Sequence, residues 1–246
     1  MPAHRNTRER LEASEIERYR DTLATLSTDA RCIQRQHPFQ PDDFRLAYHH
    51  DFTRIVHSRP FRRLRHKTQV FISPSNDHIC TRLEHSLYVA SVAETIARAL
   101  RLNEDLVRAI ALGHDLGHAP FGHKGEKVLN DCAKEFGSEF SHELHSLRVV
   151  EHLESPYLEQ GHPGLNLTFA VRDGIACHYG EGFERELAPD RLKKPKDLAN
   201  MKRGEALPAT LEGCVVRWAD KVAYLGRDLE DAVQLGLFGW EDMPKE

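Results

Sequence analysis

A chain of 246 residues with 40% hydrophobic and 29% charged side chains is long enough to bury a real core and has the composition of an ordinary globular protein. Its net charge of −4 excludes a general nucleic-acid coating protein, and no apolar run approaches the ~20 residues of a membrane span. The polar N-terminus is no secretory signal, and five scattered cysteines (Cys32, Cys80, Cys132, Cys177, Cys214) without a CxxC pair predict a cytoplasmic protein with structural thiols.

Residues 6–28 read as a polar, amphipathic first helix with Leu11, Ile16, Tyr19, Leu23 and Leu26 as its apolar stripe. Pro38 and Pro41 mark a loop over 36–43, and a helix is expected over 45–58. Between Arg54 and Arg82 the chain carries seven cations (Arg54, Arg59, Arg62, Arg63, Arg65, Lys67, Arg82) against one acid, Asp77. A solvated face is the ordinary reading of such a run, but the interleaved Phe61, Leu64, Val70, Phe71 and Ile72 argue against a wholly exposed segment. A turn at 73–77 precedes a helix over 79–101, whose apolar residues Leu83, Leu87, Ala90, Ala93, Ile96, Ala97 and Leu100 keep a helical period around His85. The next helix, 104–113, starts from a cap at Asn103 and ends at His114-Asp115. Helices follow over 124–136, 143–153 and 166–178, the last ending in His178-Tyr179-Gly180-Glu181, with breaks at Ser155-Pro156 and 161–164. Segment 184–206 reads as a long charged surface loop with solvated cations, or as a flap closing over a ligand. The last helix, about 208–235, is apolar around much of its circumference yet carries Asp220, Tyr224 and Asp228 at i, i+4 and i+8, on one face. No convincing strand alternation and no repeat is present, so an all-α fold is expected.

Chemistry concentrates at 111–126, where His114, Asp115, His118, His123 and Glu126 lie among Gly113, Gly117, Pro120 and Gly122. A buried helix that ends on an adjacent imidazole and carboxylate, followed by a tight turn, can aim both groups at one divalent cation; mixed nitrogen and oxygen donors suit Mn, Fe, Co, Ni or Zn, and Mg less comfortably. Aspartate is rarely buried unless paired or metal-bound, which singles out Asp220 within its apolar helix.

The order His85, His114-Asp115, Asp220 resembles the H…HD…D ligand pattern of the HD-domain metal-dependent phosphohydrolases. The stretches Ser58-Arg59-Pro60-Phe61-Arg62-Arg63-Leu64, Lys67-Thr68-Gln69-Val70-Phe71, Arg82-Leu83-Glu84-His85-Ser86 and Gly113 to His118, with Pro120-Phe121-Gly122-His123, Gly125-Glu126 and Asp220/Tyr224/Asp228, resemble the deoxyguanosine triphosphate triphosphohydrolase family over about 45–235. The resemblance implies an all-α HD-domain bundle with the metal site between helices: residues 1–44 as an N-terminal helical segment and loop, 45–236 as the catalytic core, and 237–246 as a tail, where family members continue with further helices that help hold the base. It implies His85, His114, Asp115 and Asp220 as ligands of one divalent metal, manganese or magnesium ahead of iron, cobalt, nickel or zinc. It also implies His123 and Glu126 as a catalytic acid/base pair, His142 near the phosphates, and Gln69, Tyr224 and Asp228 at the deoxyribose. Arg82 and Lys221 would face phosphate, and His118 would be a direct or a supporting residue. The implied reaction is hydrolysis of a deoxynucleoside triphosphate to deoxynucleoside and triphosphate, by a homo-oligomer open to an allosteric nucleotide or single-stranded nucleic acid and without a membrane partner. The competing readings are another HD-domain phosphohydrolase (a nucleoside monophosphatase or phosphodiesterase), or a non-catalytic nucleotide sensor or single-stranded nucleic-acid binder.

Overall fold

The computed structural model describes residues 7–71, 76–154, 161–179, 186–204 and 206–242. Residues 73–75 of the expected turn, the Ser155-Pro156 break, Gly180-Glu181, Arg185 and the last four residues of the tail lie outside them. Every regular element among the described residues is helical: α1 Thr7–Arg18, α2 Ala47–His57, α3 Arg59–Arg63, α4 Arg82–Leu100, α5 Glu104–Gly113, α6 Gly122–Glu135, α7 His142–Arg148, α8 Phe169–Ala176 and α9 Leu211–Gln234, with short 3-10 or π turns between or after them. The strand-like feature among these residues is an isolated antiparallel bridge, Thr68 to Thr81. No helix is long and apolar enough to cross a membrane.

The bundle is organised around α5. Leu106, Val107, Ala109, Ile110, Ala111, Leu112 and Gly113 are all buried, and α2, α4, α8 and α9 pack around them. Beyond its charged first turn and Arg108 the helix is apolar and enclosed, and each large aliphatic side chain removed from water contributes ~1.5–3 kcal/mol. Its start is pinned by Asn103, whose side-chain oxygen accepts from Asp105 N and Leu106 N at 3.2 and 3.3 Å. Buried Glu15 and Glu212 in turn accept from Asn103 Nδ2 (2.9 Å) and Asn103 N (3.1 Å), tying α1 and α9 to this cap. Helix α8 rides directly on α5: a Cβ added at Gly174 would meet Ile110 Cδ1 at 2.5 Å, so only glycine permits this approach.

Several boundaries differ from the sequence expectation, each for a local reason. The first helix stops at Arg18 instead of 28, because Asp21 adopts a left-handed φ of 58° and the chain folds back until Ser27 N and Oγ bond Glu15 at 2.7 and 2.9 Å. Leu11, Ile16 and Leu23 of its expected stripe are exposed. The expected 166–178 helix begins only at Phe169, since Asn166 takes a positive φ of 49° and Thr168 N is held by Asp51 Oδ2 at 2.7 Å. Helix α7 widens into a π turn over Val149–Leu153. In α4 the buried face is Arg82, His85, Ser86, Val89, Ala90, Ala93 and Ala97, while Leu87 and Leu100 stay exposed; small side chains win the seam because α5 and α9 pack closely there. The charged segment is no solvated loop throughout. Lys193 is 6% exposed and bonds Asp173 Oδ1 at 2.8 Å, and Pro195–Asn200 forms a 3-10 helix.

Candidate metal centre

Three helices deliver their polar residues to one end of the bundle. Thr81 caps α4 with a full capping box, its Oγ1 accepting from Glu84 N at 3.4 Å while Glu84 Oε2 accepts from Thr81 N at 2.8 Å. That start sets Arg82 and His85, three residues apart, on the buried face, each 3% exposed. The end of α5 supplies His114 and Asp115, and the middle of α9 supplies Asp220.

These groups converge. His85 Nε2 lies 2.9 Å from Asp220 Oδ1, and His114 Nε2 lies 3.5 Å from Asp115 Oδ2 and 3.9 Å from Asp220 Oδ1. The His114 Nδ1–H donates to Ala111 O at 2.6 Å, which orients the ring and turns Nε2 inward; that atom is buried without a hydrogen-bond partner. Burial works against charge on this ring, but the Asp115 and Asp220 carboxylates outweigh it and lift the His114 pKa to about 9. Asp115 is held well below the usual carboxylate range: burial opposes ionisation, and the Arg82 guanidinium, 2.6 Å away, overcomes it. Asp220 is lowered likewise, against burial, chiefly by the His85 hydrogen bond. Donor atoms of His85, His114 and Asp115 all lie within 4.8 Å of one another, and with the Asp220 carboxylate 2.9 Å from His85 they form a negatively charged pocket of mixed donors that fits a divalent cation.

Beside this group stands a second constellation. Phe121 and Gly122 take consecutive positive φ values of 63° and 60°, and the chain then enters α6 with His123 at its first turn. His123 Nδ1 is 3.2 Å from Glu126 Oε2, and the His123 side chain is 66% exposed whereas that of Glu126 is 5% exposed. Glu126 also accepts from His142 N at 2.9 Å and from His142 Nδ1 at 3.0 Å. Burial raises the Glu126 pKa and the His123 and His142 hydrogen bonds more than offset it, leaving a firmly ionised carboxylate between two imidazoles. For His142 burial lowers and Glu126 raises, with a net rise. Glycine at 117 lets α7 come this close, since a Cβ there would sit 2.3 Å from Ser146 N.

A cavity of about 270 Å³ connects the two constellations and is also lined by Gln69, Arg82, Tyr224 and Asp228. Gln69 is 8% exposed with an unpartnered Oε1, and Asp228 Oδ1 is likewise buried without a partner; burial raises the Asp228 pKa. Arg82 reaches the cavity but is engaged with Asp115 and with Gln69 O, at 2.6 and 3.3 Å. His118 is buried, bonds Ala119 O through Nδ1 at 3.0 Å, and is pushed down to about 2 by burial, with the Arg82 and His142 charges adding to the drop and the Asp115 carboxylate opposing it. Lys221 is the expected residue that the fold does not bring here. One position beyond Asp220 turns it about 100° away, and its ammonium lies 5.0 Å from the Trp218 ring centre.

Among the residues that line this cavity without having been assigned a role from sequence, three are polar: His178, Tyr179 and Glu143. His178 Nε2 is 3.1 Å from His142 Nε2 and its Nδ1–H donates to Ile175 O at 2.6 Å; burial drops its pKa to about 4. Glu143 is 1% exposed, with Arg203 Nε at 3.6 Å, and the Arg203 guanidinium lies over the Tyr179 ring at 5.1 Å. A histidine closing an apolar helix was a readable signal at 178, as it was at 114; the Arg203 contact, built by a charged irregular segment, had none.

The HD-domain family model matches residues 82–225. The chain is 48% identical to a deoxyguanosinetriphosphate triphosphohydrolase-like protein of Desulfatibacillum aliphaticivorans over 87% of this chain and 55% of that protein. Proteins of the same name from Caldanaerobacter subterraneus and Syntrophus aciditrophicus are 49% and 45% identical, over 83% and 96% of this chain and 51% and 55% of theirs. The chain thus spans about half the length of the curated relatives it matches. With its helical bundle, its buried histidine–aspartate cluster and this match across α4 to α9, the chain belongs to the HD-domain family.

Proposed function

We propose that this chain carries the catalytic core of a metal-dependent deoxynucleoside triphosphate hydrolase that releases deoxynucleoside and inorganic triphosphate. The observation that carries the reading is the convergence of His85, His114, Asp115 and Asp220 beside the His123–Glu126–His142 array, on a cavity shared with Gln69, Tyr224 and Asp228. The resident divalent ion, held by His85, His114, Asp115 and Asp220, would polarise a phosphoryl oxygen and lower the pKa of a bound water.

The side chains divide the remaining work. Ionised Glu126 accepts from His123 Nδ1–H, leaving His123 Nε2 to take a proton from water or to give one to the leaving 5′-oxygen. Exposure of His123 at the cavity mouth suits a group that must exchange protons with solvent between turnovers. Arg82 keeps Asp115 ionised and oriented through its 2.6 Å contact, and adds positive charge to the wall that faces an anionic substrate. Gln69 Oε1 and Asp228 Oδ1, buried without partners, are open to sugar hydroxyls, and Tyr224 stands beside them at the cavity wall. Lys221 has no part in this scheme, given its place over Trp218.

The test is hydrolysis of all four deoxynucleoside triphosphates by the purified chain with Mn²⁺ or Mg²⁺, with separate quantitation of nucleoside and tripolyphosphate. Tripolyphosphate and nucleoside in equal amounts support the reading. Orthophosphate, pyrophosphate or a nucleoside monophosphate as the product points to another HD-domain phosphohydrolase. Nucleotide binding without turnover points to a sensor.

A further inference from the structure

Glu143 is a costly residue for a cavity that must receive an anion. It is the second residue of α7, lines the cavity and is 1% exposed, yet neither of its oxygens has a hydrogen-bond partner. A carboxylate withdrawn from water in this way needs positive charge beside it, and it repels any anion brought near. Asp115 and Asp220 escape that difficulty: both belong to the proposed metal site, and they are also answered by Arg82 at 2.6 Å and His85 at 2.9 Å. The imidazole nearest to Glu143 is engaged elsewhere. His142 Nδ1 lies 3.7 Å from Glu143 Oε2 but 3.0 Å from both oxygens of Glu126.

The compensating charge comes from the irregular segment between α8 and α9. That segment is fastened to the bundle by the 2.8 Å Lys193–Asp173 ion pair and by buried Leu198 in the 3-10 helix Pro195–Asn200. Beyond this anchor, Arg203 Nε lies 3.6 Å from Glu143 Oε1 and Arg203 Nη2 lies 3.8 Å from Glu126 Oε1. The guanidinium also rests over the Tyr179 ring, 5.1 Å from its centre. Gly204 lets the backbone lie against the same ring: its φ is +73°, and a Cβ there would meet Tyr179 Cε1 at 3.2 Å. Glu143 and Tyr179 line the cavity, whereas Arg203, its side chain 33% exposed, stands beside them and outside the lining.

We propose that Arg203 is a positioning residue that fits the cavity for a polyphosphate: by holding and neutralising Glu143 it removes a carboxylate that would otherwise repel the substrate. The inference rests on the proposed triphosphate substrate and names what governs its affinity. Arg203 acts through Glu143, so its loss moves KM more than kcat, and the defect exists only while the carboxylate is there to be neutralised.

The experiment uses the full Mn²⁺-loaded chain and reads binding of inorganic tripolyphosphate by calorimetry, together with KM and kcat for dGTP. Arg203→Gln is expected to weaken tripolyphosphate binding and raise KM by ~10–100-fold, the scale of a like-charge clash left in a site, with kcat within a few-fold of wild type. Arg203→Lys keeps the charge and stays within a few-fold of wild type in both. Glu143→Gln alone binds the anion at least as tightly as wild type, and added to Arg203→Gln it restores binding. Weaker binding in Glu143→Gln alone, or additive losses in the double variant, overturns the proposal. Equal losses in Arg203→Gln and Arg203→Lys overturn it as well, and that contrast decides the matter should a Glu143 variant not fold. A wild type that does not bind tripolyphosphate also overturns it. The expected binding pattern without release of tripolyphosphate from any deoxynucleotide leaves this inference standing and sinks the hydrolase reading instead.

Discussion

Replacing Glu126 by Gln tests the acid/base assignment with the least disturbance of shape, because the structure dictates how the amide must sit. Glu126 Oε1 accepts from His142 N (2.9 Å), His142 Nδ1 lies 3.0 Å from both carboxylate oxygens, and Oε2 is also paired with His123 Nδ1 at 3.2 Å. A glutamine keeps its oxygen where the backbone donor is, so its NH₂ takes the Oε2 position and confronts His123. His123 must then surrender its Nδ1 hydrogen and adopt the opposite tautomer, which carries a proton on the nitrogen meant to accept one. The variant should keep its metal, since Glu126 touches none of His85, His114, Asp115 or Asp220, and turnover should fall ~10²–10⁴-fold, as for loss of a positioned acid or base. The stability change has a defined sign. The folded pKa of Glu126 is depressed below 4.5, so the carboxylate contributes stability above about pH 4.5 that is lost as pH falls toward its folded value. Glu126→Gln should be less stable than wild type near pH 7 by ~1–3 kcal/mol, with the gap closing in acid. Metal content by elemental analysis, kcat from the tripolyphosphate assay and urea unfolding at two pH values check all three parts. A kcat within a few-fold of wild type at unchanged metal content would refute the assignment of His123 and Glu126 as a working pair.

His123→Ala should likewise retain its metal and cut kcat ~10²–10⁴-fold, with little change in Tm because the ring is 66% exposed; equal loss of metal would show it to be a ligand. Tyr224→Ala should narrow the preference for dGTP over GTP in kcat/KM, since this ring lines the cavity one turn beyond Asp220; wild type that cleaves both sugars alike would remove Tyr224 and Gln69 from the sugar site. His50, far from the metal centre, carries a pH dependence of its own. Burial first and the Arg54 and Arg35 charges second lower its pKa from 6.5 to about 4, so its unfolded form binds the proton earlier and stability drains away as pH falls from 6.5 to 4. The loss approaches about 3 kcal/mol at the acid end, and His50→Leu should flatten that part of the unfolding-versus-pH curve; an unchanged slope would count against it.

What could be read in advance followed the range of the interactions involved. The all-helical class and the positions of α4, α5, α6 and α9 rest on periodicity and capping, which act over a few residues, and Asn103 and Thr81 mark their helix starts in the structure as strongly as such signals can. The end of α1 depended instead on Glu15 meeting Ser27 and Asn103, a partnership between distant segments that no local pattern carries. The same holds for Lys193, whose burial against Asp173 turns an apparently solvated cation into a core ion pair.

The site divides along the same line. His85, the His114-Asp115 pair and Asp220 are each polar residues set in apolar helices, an expense in desolvation that demands a partner, and that demand is visible one helix at a time. His178 meets the same criterion. It closes α8 as His114 closes α5, and each ring turns its Nδ1–H back to the carbonyl three residues earlier, Ile175 in one case and Ala111 in the other. That bond is purely local, set by helix geometry at a C-terminus where carbonyls lack amide partners. An apolar helix ending on histidine is therefore a device for aiming an imidazole lone pair forward, whatever lies in front of it. In this bundle α5 and α8 are held so closely by Gly174 against Ile110 that the His114 and His178 ring centres stand 5.0 Å apart. The packing of two helices thus brings two separate local signals side by side, with Asp115, next to His114 in the chain, within 4.8 Å of the His178 nitrogen in space.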